Sequence, residues 1–485
     1  MKKILLMGVL ATVSSFAASR PNVLFIAIDD LNTSPHIMDN RETTVHTPNL
    51  ERFAKMGVLF QNAHCAAPAC NPSRASVISG LAPSVSGVYL NAQDWRENTR
   101  MKDWVTIPDY FRANGYKTMG GGKIYHAASL SEGGYTGYMD PEPWDEYFPS
   151  KEKQMPYEVL PPEKRAVHSS TSFYGGRFDW AELDCEPDDM ADAQVVAWAS
   201  EQLSKNHDKP LFLACGIYRP HIPWYTPKKY FDMHPLNEIE LPEIRADDLD
   251  DIPDAGKNKL KTKWHQWLLE HDQWESFVRG YNASVSFTDD MVGRLLDALE
   301  KSPMADNTVV VLWADHGYHL GQKQHWEKFA LWEQTTRVPF IIVAPGVAQI
   351  GKSCAQPVSL LDIYPTLNEL CGFEPIEKLS GESLVPLLKN PQQETGRAVI
   401  ITHGYKNHAV RTDKWRYICY EKGDEELYDQ LNDPKNFTNL ASHPEYEAVK
   451  KELAAQLPIT DAEKDPVSNS QSKWRNKKPE KKMGK

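Results

Sequence analysis

Short apolar, β-branched runs alternate along the chain with stretches of helical period. Residues 23–28 (VLFIAI), 211–215 (LFLAC), 309–313 (VVVLW), 340–343 (FIIV) and 399–401 (VII) read as buried strands. Between the first two, Thr47 as N-cap, Pro48 at the first helical position, Leu50, Phe53 and Ala54 on one face and Gly57 as terminator predict a short amphipathic helix. Val292, Leu295, Leu296 and Leu299 mark the apolar stripe of another. Strands alternating with helices predict an α/β sheet. Two segments break the rhythm: 127–190, rich in Gly, Pro, Tyr and acids, and 235–257, acidic and punctuated by Pro. After a composition shift at 385–397, AVIITHG, HAVRT, WRYICY and the helical EYEAVKKELAAQL predict a small α+β domain over 391–466, following a main domain over 20–390.

Composition narrows the class. At 485 residues, with 41% hydrophobic and 25% charged residues, the chain is globular rather than disordered or polytopic in a membrane. A net charge of -12 argues against nucleic acid as a partner, because nonspecific binding needs a basic surface. Lys2 and Lys3 precede an apolar run over 4–13 and then small residues to Ala18 and Ser19, the layout of a removable signal over 1–19. That run is shorter than the ~18 residues of a membrane span, and no other stretch reaches that length, so export to the periplasm or medium is expected. The basic stretch 467–485, with Lys473, Arg475, Lys477 and Lys478, reads as a solvated, disordered tail. The 7 cysteines leave one unpaired in an oxidising compartment, and buried thiols with one or two bridges are expected.

Two acidic pairs carry the first chemical signal. The strand at 23–28 ends in Asp29-Asp30, and that at 309–313 leads to Asp315-His316-Gly317. Ligands gather at the carboxyl ends of strands in open α/β sheets, so both pairs are placed to face one site. Their donors are mostly hard oxygens, which suits Ca²⁺ or Mg²⁺ over a structural zinc made of Cys and His. The second signal is Cys70-Asn71-Pro72-Ser73-Arg74-Ala75-Ser76, with Gly80 beyond. A thiol four residues before an arginine, in a polar turn that opens a helix, sits near backbone N–H donors and a fixed cation.

Together these motifs resemble the type I sulfatases of the alkaline phosphatase superfamily. The resemblance implies an alkaline-phosphatase-like α/β fold, a large mixed sheet flanked by helices with a smaller C-terminal α+β domain. It implies that a separate maturation enzyme oxidises Cys70 to formylglycine, whose hydrate attacks sulfur and then expels sulfate. Asp29, Asp30, Asp315 and His316, with the residue at position 70, would hold the divalent cation. The family's second signature is matched by Gly115-Tyr116-Lys117-Thr118 and by Gly122-Lys123 followed by Tyr125-His126. Gly121 stands where a small apolar residue is commoner, with an expected effect on backbone flexibility. By the same resemblance Lys123 holds sulfate or the diol, and His126 accepts the diol proton. His221, in Arg219-Pro220-His221, protonates the departing alcohol, and Lys328, closing GQKQHWEK at 321–328, binds sulfate with Arg74.

Similarity to the family extends through 281–299, 331–346, 358–367 and 425–434, and the Lys-x-x-His spacing resembles the iduronate-2-sulfatase-like branch. A sulfated polysaccharide or oligosaccharide is the implied substrate. A phosphodiesterase or phosphonate hydrolase of the same superfamily, and a non-catalytic binder of sulfated glycan with unmatured Cys70, stay open as alternatives. Candidate substrate readers are 91–100, Tyr174, Arg177, Trp180, 403–408 and Arg411, the two arginines as partners for a uronate.

Overall fold

The computed structural model describes residues 20–38, 45–131, 134–137, 140, 142–149 and 178–464. The expected signal segment, most of the 127–190 excursion including Tyr174 and Arg177, and the basic tail lie outside them.

Four of the five predicted strands lie in a mixed sheet, and the fifth, at 399–401, lies in a separate C-terminal sheet. The members of the mixed sheet are β1 (Asn22–Ile28), β2 (Val58–Phe60), β3 (Lys117–Gly122), β4 (Glu146–Phe148), β5 (Leu211–Ile217), β6 (Thr308–Ala314), β7 (Phe340–Val343) and β8 (Lys352–Cys354). Their order is β8-β2-β7-β6-β1-β5-β3-β4. β6, β1, β5 and β3 are mutually parallel neighbours, whereas β7 runs antiparallel to both β6 and β2. β1, β5 and β6 are apolar on both faces and buried, as strands covered on both sides must be.

The long helix Trp274–Glu300 buries the predicted stripe Val292, Leu295, Leu296 and Leu299, and packs on helices Ala191–Leu203 and Pro48–Ala54. The helix Pro48–Ala54 forms where predicted, but Thr47 makes no side-chain cap. Instead the Asp289 carboxylate, from the long helix, accepts from the Asn49 and Leu50 amides at 3.1 and 2.8 Å. Nor does Gly57 end that helix; a Cβ there would lie 2.2 Å from the Ile342 carbonyl oxygen, so its lack of side chain serves strand packing.

The C-terminal run forms an antiparallel sheet, β9 (Val399–Thr402), β10 (His408–Arg411), β11 (Trp415–Cys419) and β12 (Glu425–Asp429), with a helix Glu447–Ala454 on it. Val410, Tyr417, Leu427, Ala441 and Leu453 make its own small core. Charge ties it to the main body: buried Glu333 accepts from Arg411 at 3.2 Å and from Arg416, while Glu426 accepts from Trp332 Nε1 at 2.8 Å. All seven cysteines are free, so the expected bridges are absent.

Candidate active site

The four neighbouring parallel strands deliver the candidate residues by their carboxyl ends. β6 leads into Asp315-His316, β1 into Asp29-Asp30, β5 through Tyr218 and Arg219 to His221, and β3 directly into Lys123. Strands about 4.8 Å apart thus bring together groups nearly 300 positions distant in the chain. Above them lies a helix, Cys70–Ser79, all of whose residues are buried. Cys70 is its first residue, at the positive end of the helix dipole. Arg74, one turn on, donates from Nε to Asp315 Oδ2 at 2.7 Å and from Nη2 to Asp29 Oδ1 at 3.2 Å. Ser73 Oγ donates to the Asp315 carbonyl at 2.6 Å, a third tie between helix and strand end.

Cys70 Sγ lies 3.1 Å from Lys328 Nζ, 3.2 Å from His316 Nε2 and 4.0 Å from Lys123 Nζ. Lys328 also reaches Asp30 Oδ1 at 2.7 Å, and Lys123 pairs with Asp29. His221 Nε2 stands 3.9 Å from Asp30 Oδ2, its Nδ1 turned to the Ile222 carbonyl at 2.5 Å. Every site residue predicted from the sequence therefore falls in one cluster, except that His126, half-buried at its edge, is tied to it by the fields of Lys123, Lys328 and Asp29.

Burial and these charges set the titration. For Cys70, burial opposes ionisation, but Lys123 and Lys328 more than offset it and bring the thiol below its ordinary value. Burial raises Asp30 to about 7 against the pull of Lys328, with Asp29 adding repulsion. Asp29 has burial acting upwards too, yet Lys123, His221 and Arg74 hold it well below the carboxylate range. His316 is lifted to about 9: burial works against the imidazolium, and Asp315 and Cys70 outweigh it. His126 and His221 are pressed far down by burial and by the two lysines. His221 is thus largely enclosed, its side chain 19% exposed.

The donor set suits a hard divalent cation. Ligand atoms of Asp29, Asp30, Cys70 and His221, and of Asp29, Cys70, Asp315 and His316, lie within 4.8 Å of one another. Asp30 Oδ2 is buried without a hydrogen-bond partner, which is costly unless a cation takes it up. Asp30 also adopts φ 61, a left-handed backbone rare outside Gly and tolerated by Asp. Tyr281 Oη holds it there, donating to the Asp30 carbonyl and accepting from the Asn32 amide, both at 2.9 Å.

Several supports were invisible in the sequence. Asp192 accepts the Tyr218 and Arg219 amides at 2.8 and 2.9 Å, fixing the chain before His221. Lys123 Nζ sits 4.8 Å from the Tyr218 ring centroid. The glycines before Lys123 lie in strand β3; at Gly122, with φ 70, a Cβ would come 1.9 Å from the Gly216 carbonyl oxygen. A Cβ at Gly121 would press on the Trp198 ring at 2.9 Å, so its role is packing rather than flexibility. His325, unassigned by sequence, accepts from the Lys261 amide at 3.1 Å and bonds the Lys328 carbonyl at 2.8 Å. Of the candidate readers, Asn91 caps the Cys70 helix by accepting the Asn71 amide at 2.9 Å, Trp180 is buried against Phe277, and Arg411 is engaged by Glu333.

Comparison with known proteins identifies the family. Residues 21–373 match the family "Sulfatase", and residues 321–463 match "N-sulphoglucosamine sulphohydrolase, C-terminal". A "Sulfatase" of Formosa agariphila is 39% identical over 467 residues, covering 93% of this chain and 89% of that protein. Iduronate 2-sulfatase of Homo sapiens is 28% identical over 396 residues, covering 73% of this chain and 69% of that one. A structure solved with D-glucosamine-2-N,6-O-disulfate as its substrate superposes with a TM-score of 0.69 at 20% identity, over 90% of this chain and 96% of the other, which shows the shared fold. The chain has the fold of the alkaline phosphatase superfamily. It belongs to the sulfatase family and is a sulfuric ester hydrolase.

Proposed function

We propose that this chain hydrolyses sulfate esters on sulfated sugars, using formylglycine made from Cys70. The observation that carries the reading is the position of Cys70 Sγ, at a helix N-terminus and within 4.0 Å of Lys328, His316 and Lys123. The Sγ position stands in for the oxygens of the matured, hydrated aldehyde. That residue supplies a hydroxyl to attack sulfur and a second one whose deprotonation releases the sulfate. Asp29, Asp30, Asp315 and His316 would hold Ca²⁺, with Mg²⁺ second, a Lewis acid for the sulfuryl oxygens. Lys123 and Lys328 bind sulfuryl oxygens from either side of position 70, and Arg74 keeps Asp29 and Asp315 oriented. In this reading Arg74 orients carboxylates, where the sequence suggested a direct sulfate contact. His221 keeps its Nδ1–H on the Ile222 carbonyl; once the bound sulfate ester offsets the charge of the two lysines, Nε2 takes up a proton and gives it to the leaving alcohol. His126 takes the proton from the hydrated residue.

Sulfated sugar is the substrate class because relatives named for iduronate 2-sulfatase and a structure with a disulfated glucosamine share the fold and family. Export follows from the Lys2-to-Ser19 pattern, and among the described residues no helix is long and apolar enough to cross a membrane. The decisive experiment compares kcat/KM on an aryl sulfate and an aryl phosphate diester, using protein whose Cys70 peptide has lost the ~18 Da of the maturation. Preference for the sulfate supports the reading; preference for the diester replaces it with phosphodiester hydrolysis. A thiol still at full mass in protein that turns over neither ester would leave the sulfated-glycan binder.

A further inference from the structure

The segment that places Lys328 continues into a second cavity. It is lined by Phe329, Trp332, His403, Tyr420, Lys259 and Lys422 and encloses about 630 Å³. That volume lies within the ~300–1,000 Å³ of small-molecule sites. Two backbone bonds join the cavity to the catalytic centre: Phe329 donates to the Pro68 carbonyl at 3.0 Å, and Thr402 to the Ala66 carbonyl at 2.9 Å. Both parts of the lining therefore hang on the segment that runs into Cys70, and Phe329 follows Lys328 directly in the chain.

The lining has the chemistry of a hydroxyl-rich ring. His403 is 9% exposed, and its buried Nδ1 has no hydrogen-bond partner. Burial, with the charges of Lys259 and His325, holds that imidazole down at about 3, so it is neutral and offers one donor and one acceptor, the complement of an alcohol. The half-exposed Phe329 ring lies 6.1 Å from the His403 ring, a flat apolar face beside that polar group. The two lysines share the lining with Asp254, Glu421 and Asp424, so no positive excess awaits a second anion.

We infer that this cavity is a subsite for an uncharged pyranose linked to the sulfated sugar, its apolar face on Phe329 and a hydroxyl on His403. The inference rests on the sulfate-ester reading and names which sulfated sugars the site selects: those carrying a neutral neighbour.

The test pairs sulfated monosaccharides (galactose, glucosamine and N-acetylgalactosamine sulfates) with the same units joined to one neutral hexose, alongside an aryl sulfate. The expected result is a kcat/KM at least tenfold higher for a disaccharide than for its monosaccharide. Phe329→Ala should erase that ratio, and Phe329→Leu, which keeps the bulk without the flat face, should erase it too. If aryl or monosaccharide sulfates turn over but no disaccharide gains, the subsite is overturned while sulfatase action stands. If matured protein turns over no sulfate ester, the sulfatase reading fails, and calorimetry of the disaccharides on the Cys70→Ala protein decides the cavity. Binding weakened by Phe329→Ala upholds it; equal binding, or none, overturns it.

Discussion

In the proposed mechanism, position 70 concentrates the chemistry in one side chain. Replacing Cys70 by Ala should lower kcat on aryl sulfate roughly 10⁴-fold or more while leaving the thermal midpoint within a few degrees, because loss of a nucleophile removes the covalent route. Kinetics and calorimetry on the purified variant check both halves. Metal affinity is the companion test at this scale. Adding Ca²⁺ at about 100 times its Kd to chelator-treated Cys70→Ala protein should stabilise it by about 2.7 kcal/mol. Asp315→Asn should abolish most of that increment, read as a shift in thermal midpoint. A midpoint indifferent to Ca²⁺ would refute the ligand set of Asp29, Asp30, Asp315 and His316.

Elements explain what the sequence could and could not disclose. The apolar runs of β1, β5, β6, β7 and β9 were legible because each is a short β-branched stretch buried on both faces. β3 was not, since KTMGGG has the composition of a turn, and contacts with Tyr147, Trp198 and Gly216 explain its glycines. The motifs Cys70–Arg74 and Asp315-His316 were readable as local spacings. Asp192, Tyr281 and Asp289 were not, because each acts across a large sequence separation and leaves no periodic trace. Gly122→Ala tests the packing argument. Its Cβ would collide with the Gly216 backbone, so a loss of at least ~2 kcal/mol is expected, measured by the urea midpoint. Lys123 moves with it, so activity should fall further than stability alone accounts for.

Across the whole molecule, one buried carboxylate fastens the C-terminal sheet to the catalytic body. Burial acts to raise the Glu333 pKa, but Arg411 and Arg416 more than reverse this and hold it well below 4.5. A folded value below the unfolded one means stability that is present above about 4.5 and drains away as pH falls through the folded value. His64, pressed far below 6.5 by burial, adds to the acid side: its neutral folded form is favoured fully only above 6.5. The thermal midpoint should therefore decline from pH 6.5 downwards and more steeply below 4.5. Glu333→Gln should remove the lower limb while costing about 3–5 kcal/mol near neutrality, because it strands two buried guanidiniums. A variant with the parent's acid profile would show that the latch carries no such linkage. The domain boundary near 390 belongs to the same question, since a separate C-terminal unit would melt apart from the body once this carboxylate is gone.

The depth of the sulfur at position 70 has a bearing on the order of events in the life of the chain. It is 1% exposed, opens a helix with no exposed residue, and is ringed by Lys123, His316 and Lys328 from well-separated parts of the sequence. A second protein cannot put its own active centre against an atom so enclosed. Any enzyme that remodels that sulfur has to meet a newly made polypeptide, before the sheet has drawn its strand ends together; afterwards the opportunity has passed.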